Sequence, residues 1–243
     1  MNLSIIIPVY NNWSFTKNCL QDLSELPDDH EIIVVDNGST PTTAKGIKKH
    51  FPRVVYKRLN FNMGFSKGCN EGYSISVGEN VMFLNNDIRV EDNKRSWTQE
   101  ILNNIDHNSL VGPTAGMLDK DFNFISETLP GETINLKSNL CYHYMSGWNL
   151  SASKKTFSSL IINNYKGPFT EEFGGSFWED TDLSFRAREL NIPFKIVDVP
   201  VIHFGHKTAN EVGLSSLYIK SKLRFMDKWK TRALDLPLLR GSS

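Results

Sequence analysis

Cysteine is scarce: three residues, Cys19, Cys69 and Cys141, are spread through 243 with no Cys-x-x-Cys spacing. An odd number of isolated cysteines argues against a disulfide framework and a zinc site. It suits reduced thiols in a cytoplasmic setting. An excess of either charge is also missing, since 27 Lys plus Arg balance 27 Asp plus Glu. A chain of zero net charge has no global field to recruit nucleic acid, so no nucleic-acid partner is expected. Long apolar runs are absent too. No stretch approaches the roughly 20 apolar residues of a membrane span, and the run Leu3 to Val9 is too short and lacks the basic flank of a signal peptide. What is present, 40% hydrophobic residues, is ample for one large domain over 1–239, with 240–243 set aside as an appended tail.

The chain is organised around residues 80–87, Asn-Val-Met-Phe-Leu-Asn-Asn-Asp. Val81 to Leu84 read as a buried strand, and the run ends abruptly in Asn85, Asn86 and Asp87. In an open α/β sheet, ligands bind beyond the carboxyl ends of the strands. A carboxylate flanked by amide oxygens there suits a hard divalent cation, and the cation in turn a diphosphate. The plainer reading is a polar turn that ends a strand.

Around this run, strands and helices alternate. Leu3 to Val9, Glu31 to Asp36 and Arg53 to Leu59 read as strands, with helices over Trp13 to Leu26 and up to about His50 between them. Such alternation predicts parallel pairing with helices on both faces of one sheet. A helix begins near Asn62-Met63-Gly64, and Gly64, Gly68 and Gly72 share one of its faces, which suits close approach of a ligand or tight packing on the sheet. After Asp87 the spacing predicts a helix over Glu91 to Ile105 and a strand at Leu110 to Gly112. Residues 113–147 read as irregular and hairpin-like. A strand over Gly147 to Ala152, a helix over Lys154 to Ile161, a helix from Phe177-Trp178-Glu179-Asp180-Thr181-Asp182 to Leu190 and a strand over Phe194 to Val197 complete the pattern. The last stretch, Leu214 to Trp229, is amphipathic and strongly basic. It suits contact with an anionic membrane surface or, more ordinarily, a solvated face packed on the domain.

Four segments, in this order and spacing, resemble an inverting family 2 glycosyltransferase with the GT-A fold. They are Ile6 to Asn11, Val34 to Ser39, Phe83 to Asp87, and Glu179 to Leu183 with Arg186. The segment Asn62 to Phe65 with Gly68, Cys69 and Asn70 is similar to the rhamnosyl- and galactofuranosyl-transferase branch, and Gly167 to Phe169 with Glu171, Glu172 and Phe173 resembles the family loop before the Glu-Asp motif. The resemblance implies an α/β fold, one Rossmann-like domain with a mostly parallel central sheet. Residues 1–112 would bind the nucleotide sugar, 113–210 would carry acceptor and catalytic groups, and 211–239 would form a C-terminal helix.

It also implies roles. Asp36 would accept from the imide N–H of uracil, with Pro8, Tyr10 and Asn11 flooring the base pocket. Asn62, Gly64 and Asn70 would lie along the ribose and diphosphate, with Asn85 and Asn86 near the donor. Asp87 and His203 would hold a divalent metal, Mn²⁺ or Mg²⁺, with His206 and Lys207 neutralising phosphate, although either histidine suits the metal. Asp180 would be the catalytic base, with Trp178 stacking on the acceptor sugar and Glu179 holding an acceptor hydroxyl. Asp182 and Arg186, four apart, are expected to pair on the surface of the helix. The donor expected is UDP-linked and the acceptor a hydroxyl of a glycan or lipid-linked molecule, as in surface polysaccharide synthesis. A dTDP-rhamnosyl donor, or a binding module without activity, are the alternatives.

The family's usual metal motif is Asp-x-Asp, and Asn85 stands at its first position. The family's His-His-Gly-Gly appears as His203-Phe204-Gly205-His206.

Overall fold

In the computed structural model, residues 2–91, 96–130, 141–173, 176–205 and 215–236 are described. The first strands form because runs of Ile and Val favour extended backbone and are apolar on both faces. β1 (Leu3–Val9), β2 (His30–Asp36), β3 (Val55–Arg58) and β4 (Asn80–Leu84) are joined through α1 (Trp13–Leu23), α2 (Pro41–His50) and α3 (Phe65–Tyr73). A short β5 (Ile88–Val90) follows, then α4 (Trp97–Asn104) and β6 (Leu110–Gly112). The expected helix over 91–105 is thus described from Trp97 only, and the strand expected over 53–59 is trimmed to its middle.

The stretch 113–147 is more regular than its sequence suggests. β7 (Ala115–Asp119), β8 (Phe124–Thr128) and β9 (Cys141–Met145) form a separate antiparallel sheet in the order β8-β7-β9. Then come β10 (Asn149–Ser153), α5 (Lys154–Ser159), α6 (Glu179–Glu189), β11 (Phe194–Ile196), β12 (Val201–His203) and α7 (Ser215–Trp229), with a 3₁₀ turn at Arg232–Asp235.

The main sheet has seven strands in the order β11-β6-β10-β4-β1-β2-β3. All its pairings are parallel except those of β10, which runs antiparallel between β4 and β6. Alternate residues feed two cores. Ile5, Ile7, Val34, Met82 and Leu84 pack on one side, and Ile6, Ile33, Val35, Val81 and Phe83 on the other. Gly72 belongs to the second side: a Cβ there would run into the side chain of Ile6, so this glycine serves tight helix–sheet packing. A third, aromatic core joins Trp178 and Phe185 to Phe225 and Trp229 of α7. α7 therefore covers the helix that carries the Glu-Asp pair.

Candidate active site

β4 ends at Leu84, and the next three side chains separate. The backbone N–H of Asn85 donates to the carbonyl of Trp148 at 2.8 Å. Asn86 turns away and donates to the Thr16 hydroxyl at 2.8 Å, so it fastens α1 and is not turned towards a donor. Asp87 is buried, and its Oδ1 lies 3.2 Å from Nε2 of His203. The backbone fixes that meeting: β5 pairs antiparallel with β12, placing His203 opposite Ile88, and the Phe204 N–H donates to the Asp87 carbonyl. His203 also lies flat on the Trp148 indole, with ring centroids 4.9 Å apart and planes within 9°. Nδ2 of Asn85 stands 3.2 Å from the same Nε2. Which end of an amide points inward is an assignment, and turned over it would present its oxygen there.

Among the described residues no group of three or more His, Cys, Asp or Glu is placed to hold a metal. The two donors that do converge fit one in kind. A hard carboxylate oxygen and an imidazole nitrogen meet at hydrogen-bond distance, with an amide beside them, which suits Mn²⁺ or Mg²⁺ with further oxygens supplied by a ligand. His206 and Lys207 lie outside the described residues.

The turn 146–148 links this pair to the Glu-Asp pair. The Gly147 N–H donates to Asp180 Oδ2 at 3.0 Å, while the Thr181 N–H donates to Oδ1 at 2.7 Å. A Cβ on Gly147 would sit 3.0 Å from the Cβ of Asp180. Asp180 lies in the first turn of α6, where the helix dipole favours a carboxylate. Glu179 is buried, with Oε2 lacking a hydrogen-bond partner among the described residues. Burial, and then the charge of Asp180, push its carboxyl up to about 8. Burial raises Asp180 as well, against hydrogen bonds from Gly147 and Thr181 that lower it. Hydrogen bonds oppose the rise at Asp180, so of the two neighbouring acids Glu179 is the one burial pushes up most plainly.

Two expectations about this helix are corrected. Trp178 does not stand open to a sugar: its ring is buried, 4.8 Å from that of Phe225, because α7 folds over it. Asp182 and Arg186 do pair at 2.8 Å, but in the interior. Asp182 also takes the Trp229 indole N–H and the Lys228 ammonium, and Thr170 donates its hydroxyl. Arg186 reaches on to the carbonyls of Leu160 and Pro168.

On the opposite side of β4, the Asp36 carboxylate is fully buried. It accepts from the Tyr56 hydroxyl, the Arg58 guanidinium and the Ser39 N–H. The register that pairs Asp36 with Arg58 brings these groups together. Pro8 stays half-buried at the end of β1, as does Tyr10 beyond it. Asn11, at φ 56, accepts from the Thr40 N–H through its side chain. Asn62 caps the Gly64 N–H, and Gly64 adopts φ +87 just before α3. Asn70 is the exception: it is buried and clamps the backbone of Phe169 at both N–H and carbonyl, so it holds the 167–171 loop and does not line a ribose.

Sequence reasoning passed over Asn37, Arg58, Gly147 and Trp148. Asn37 staples the 62–64 loop through Gly64 O and Met63 N, and sat in plain view between two expected site segments. Arg58 was readable as the residue abreast of Asp36 on a neighbouring strand. Trp148 carried no local signal.

The Glycosyl transferase family 2 model matches residues 4–140. The chain belongs to this family. A poly(ribitol-phosphate) beta-glucosyltransferase of Bacillus spizizenii is 35% identical over 95 residues, covering 36% of this chain and 15% of that protein. The curated relatives are longer proteins, and the matches span between 13% and 32% of their length. Among solved structures, GalNAc-T7 with UDP, GalNAc and Mn²⁺ superposes with a TM-score of 0.69 at 15% identity, over 95% of this chain and 49% of that one. Residues 1–349 of Staphylococcus aureus TarS superpose with a TM-score of 0.58 at 18% identity, over 98% and 75%. The same TarS fragment has also been solved with UDP-GlcNAc, at a TM-score of 0.53 and 20% identity, over 77% and 53%. The glycosyltransferase has the GT-A fold, and no helix among its described residues is long and apolar enough to cross a membrane.

Proposed function

We propose that this glycosyltransferase transfers a sugar, with inversion, from a UDP-linked donor to a hydroxyl of a glycan or lipid-linked acceptor in the cytoplasm. The observation that carries the reading is the turn 146–148, which bonds Asp180 at Gly147 and supports His203 at Trp148. It thereby sets a carboxylate base and a two-donor cation site side by side. A UDP donor is supported by the GT-A neighbours solved with UDP or UDP-GlcNAc, and by the groups around Asp36. The exposed part of Arg58, which pairs with Asp36, would offer N–H donors to carbonyl oxygens of a pyrimidine.

Asp87 and His203 would hold a divalent cation, and such a cation supplies Lewis-acid stabilisation of a departing diphosphate. Asp180 takes the proton of the acceptor hydroxyl. The hydroxyl oxygen forms a bond to the anomeric carbon, and the bond from that carbon to the diphosphate oxygen breaks, in one displacement. Gly147 and Thr181 hold the carboxylate in place by their backbone N–H groups. Those same hydrogen bonds favour the ionised form of Asp180 against its burial, while burial and the charge of Asp180 raise Glu179. The test is a panel of nucleotide sugars assayed for free nucleotide released in the presence of Mn²⁺, with and without glycan acceptors. Release from UDP-sugars that requires the cation is expected. Release from GDP- or dTDP-sugars alone would reassign the donor.

A further inference from the structure

The last described segment concentrates positive charge that the chain as a whole does not have. Residues 215–236 contain Lys220, Lys222, Arg224, Lys228, Lys230 and Arg232 against only Asp227 and Asp235, in a molecule of zero net charge. Two of these cations are used internally: Lys228 pairs with Asp182 and Arg232 with Glu189. Lys220 and Lys230 are exposed and make no ion pair among the described residues, Lys222 bonds the Asn123 side-chain oxygen with the Asp119 carboxylate and the Trp178 ring nearby, and Arg224 bonds the Glu172 carbonyl.

α7 also has a second apolar stripe. Its inward face is Ser221, Phe225 and Trp229, all buried, which accounts for the amphipathic pattern of the sequence. Ile219 and Leu223 are not part of it. They sit one turn apart on the outward face, 58% and 61% exposed, each followed directly by a basic residue. One residue of β8 extends the patch: Lys222 bonds Asn123, and of the next two side chains, Phe124 and Ile125, 58% and 49% exposed, strand alternation turns one to this side.

We infer that this face, α7 with the start of β8, docks on an anionic lipid bilayer. Apolar side chains interleaved with lysines match a surface with an acidic headgroup layer over hydrocarbon. A second copy of the chain fits poorly, since two such faces would oppose like charges. A soluble polyanion would answer the lysines and leave Ile219 and Leu223 in water. The docking does not depend on the donor or on catalysis, so it stands or falls apart from the proposed reaction.

The experiment is co-sedimentation of the protein with vesicles of phosphatidylglycerol and phosphatidylcholine, and with phosphatidylcholine alone. Binding to the mixed vesicles only, weakened by salt, is expected. The double variant Lys220→Gln with Lys230→Gln should bind about thirty-fold more weakly, at about five- to sixfold per basic residue near the surface. Leu223→Ser should weaken it without changing the thermal melt, since the side chain touches water. Ile219→Ser serves the same purpose if Leu223→Ser melts early. No sedimentation with either vesicle, equal sedimentation with both, or undiminished binding by the double lysine variant would overturn the inference. So would retention on heparin without vesicle binding, or a dimer in the ultracentrifuge that Leu223→Ser dissolves.

Discussion

The backbone N–H of Gly147 donates to Oδ2 of Asp180 at 3.0 Å, from a residue with no room for a side chain on that flank. A methyl group there would sit 3.0 Å from the Cβ of Asp180, so one of the two has to give by a few tenths of an ångström. Gly147→Ala should therefore lower turnover, by less than the about 10²-fold of an ångström-sized misplacement of a reacting group. UDP affinity, measured by calorimetry, should stay near that of the parent. Normal turnover would separate this turn from the chemistry.

Asp180→Asn and Asp182→Asn should part cleanly. The first removes the base and should cut turnover by at least about 10²-fold while the melting temperature holds. The second leaves Arg186 and Lys228 facing a neutral amide in the interior, and breaking such a buried pair costs about 3–5 kcal/mol. Its loss should appear in chemical denaturation. Turnover retained by Asp180→Asn would move the base to Glu179.

Excess EDTA should abolish transfer and Mn²⁺ should restore it, with Asp87→Ala beyond rescue. Trp148→Leu takes away the flat surface beneath His203 and should weaken Mn²⁺ binding by about ten- to a hundredfold, as loss of an outer support does. Full activity in EDTA would remove the cation from the reaction.

Glu179 carries its proton in the folded protein up to about pH 8, whereas an unfolded glutamate releases it near 4.5. Between these values the native state binds more protons than the unfolded one, so this residue's contribution to stability is full below about 4.5 and falls as pH rises through about 8. Glu179→Gln should flatten the decline of stability in that window. Glu71 runs the other way. Despite the burial that opposes it, contact with Lys57 and Lys166 holds it down to about 2, so its contribution is present above 4.5 and fades as pH falls through that lower value. A Glu179→Gln melting profile parallel to the parent's from pH 5 to 8 would show that the acid is not buried in its neutral form.

The strands β1, β2 and β4 were legible because a strand buried on both faces is written as a short run of mostly apolar residues, closed here by polar ones. His203 was legible as the polar residue that ends an apolar strand. Trp148 was not, because its place beside His203 depends on pairings between residues far apart in the chain. The depth of Asp182 was hidden for a related reason. Four residues from an arginine it reads as half of a surface pair, and only the folding of α7 over α6 makes it a core group. Trp178 was misread by the same omission, since the helix that covers it lies some forty residues later.

β10 separates β4 from β6 in the main sheet, although both precede it in the chain. A nascent polypeptide that has emerged only as far as β6 therefore presents two bare strand edges, with the one segment able to bridge them still to be synthesised. Exposed edges of this kind invite pairing with other chains. The binding cleft inherits the same timing, for the carbonyl that anchors Asn85 belongs to Trp148, and the imidazole beside Asp87 arrives only with β12.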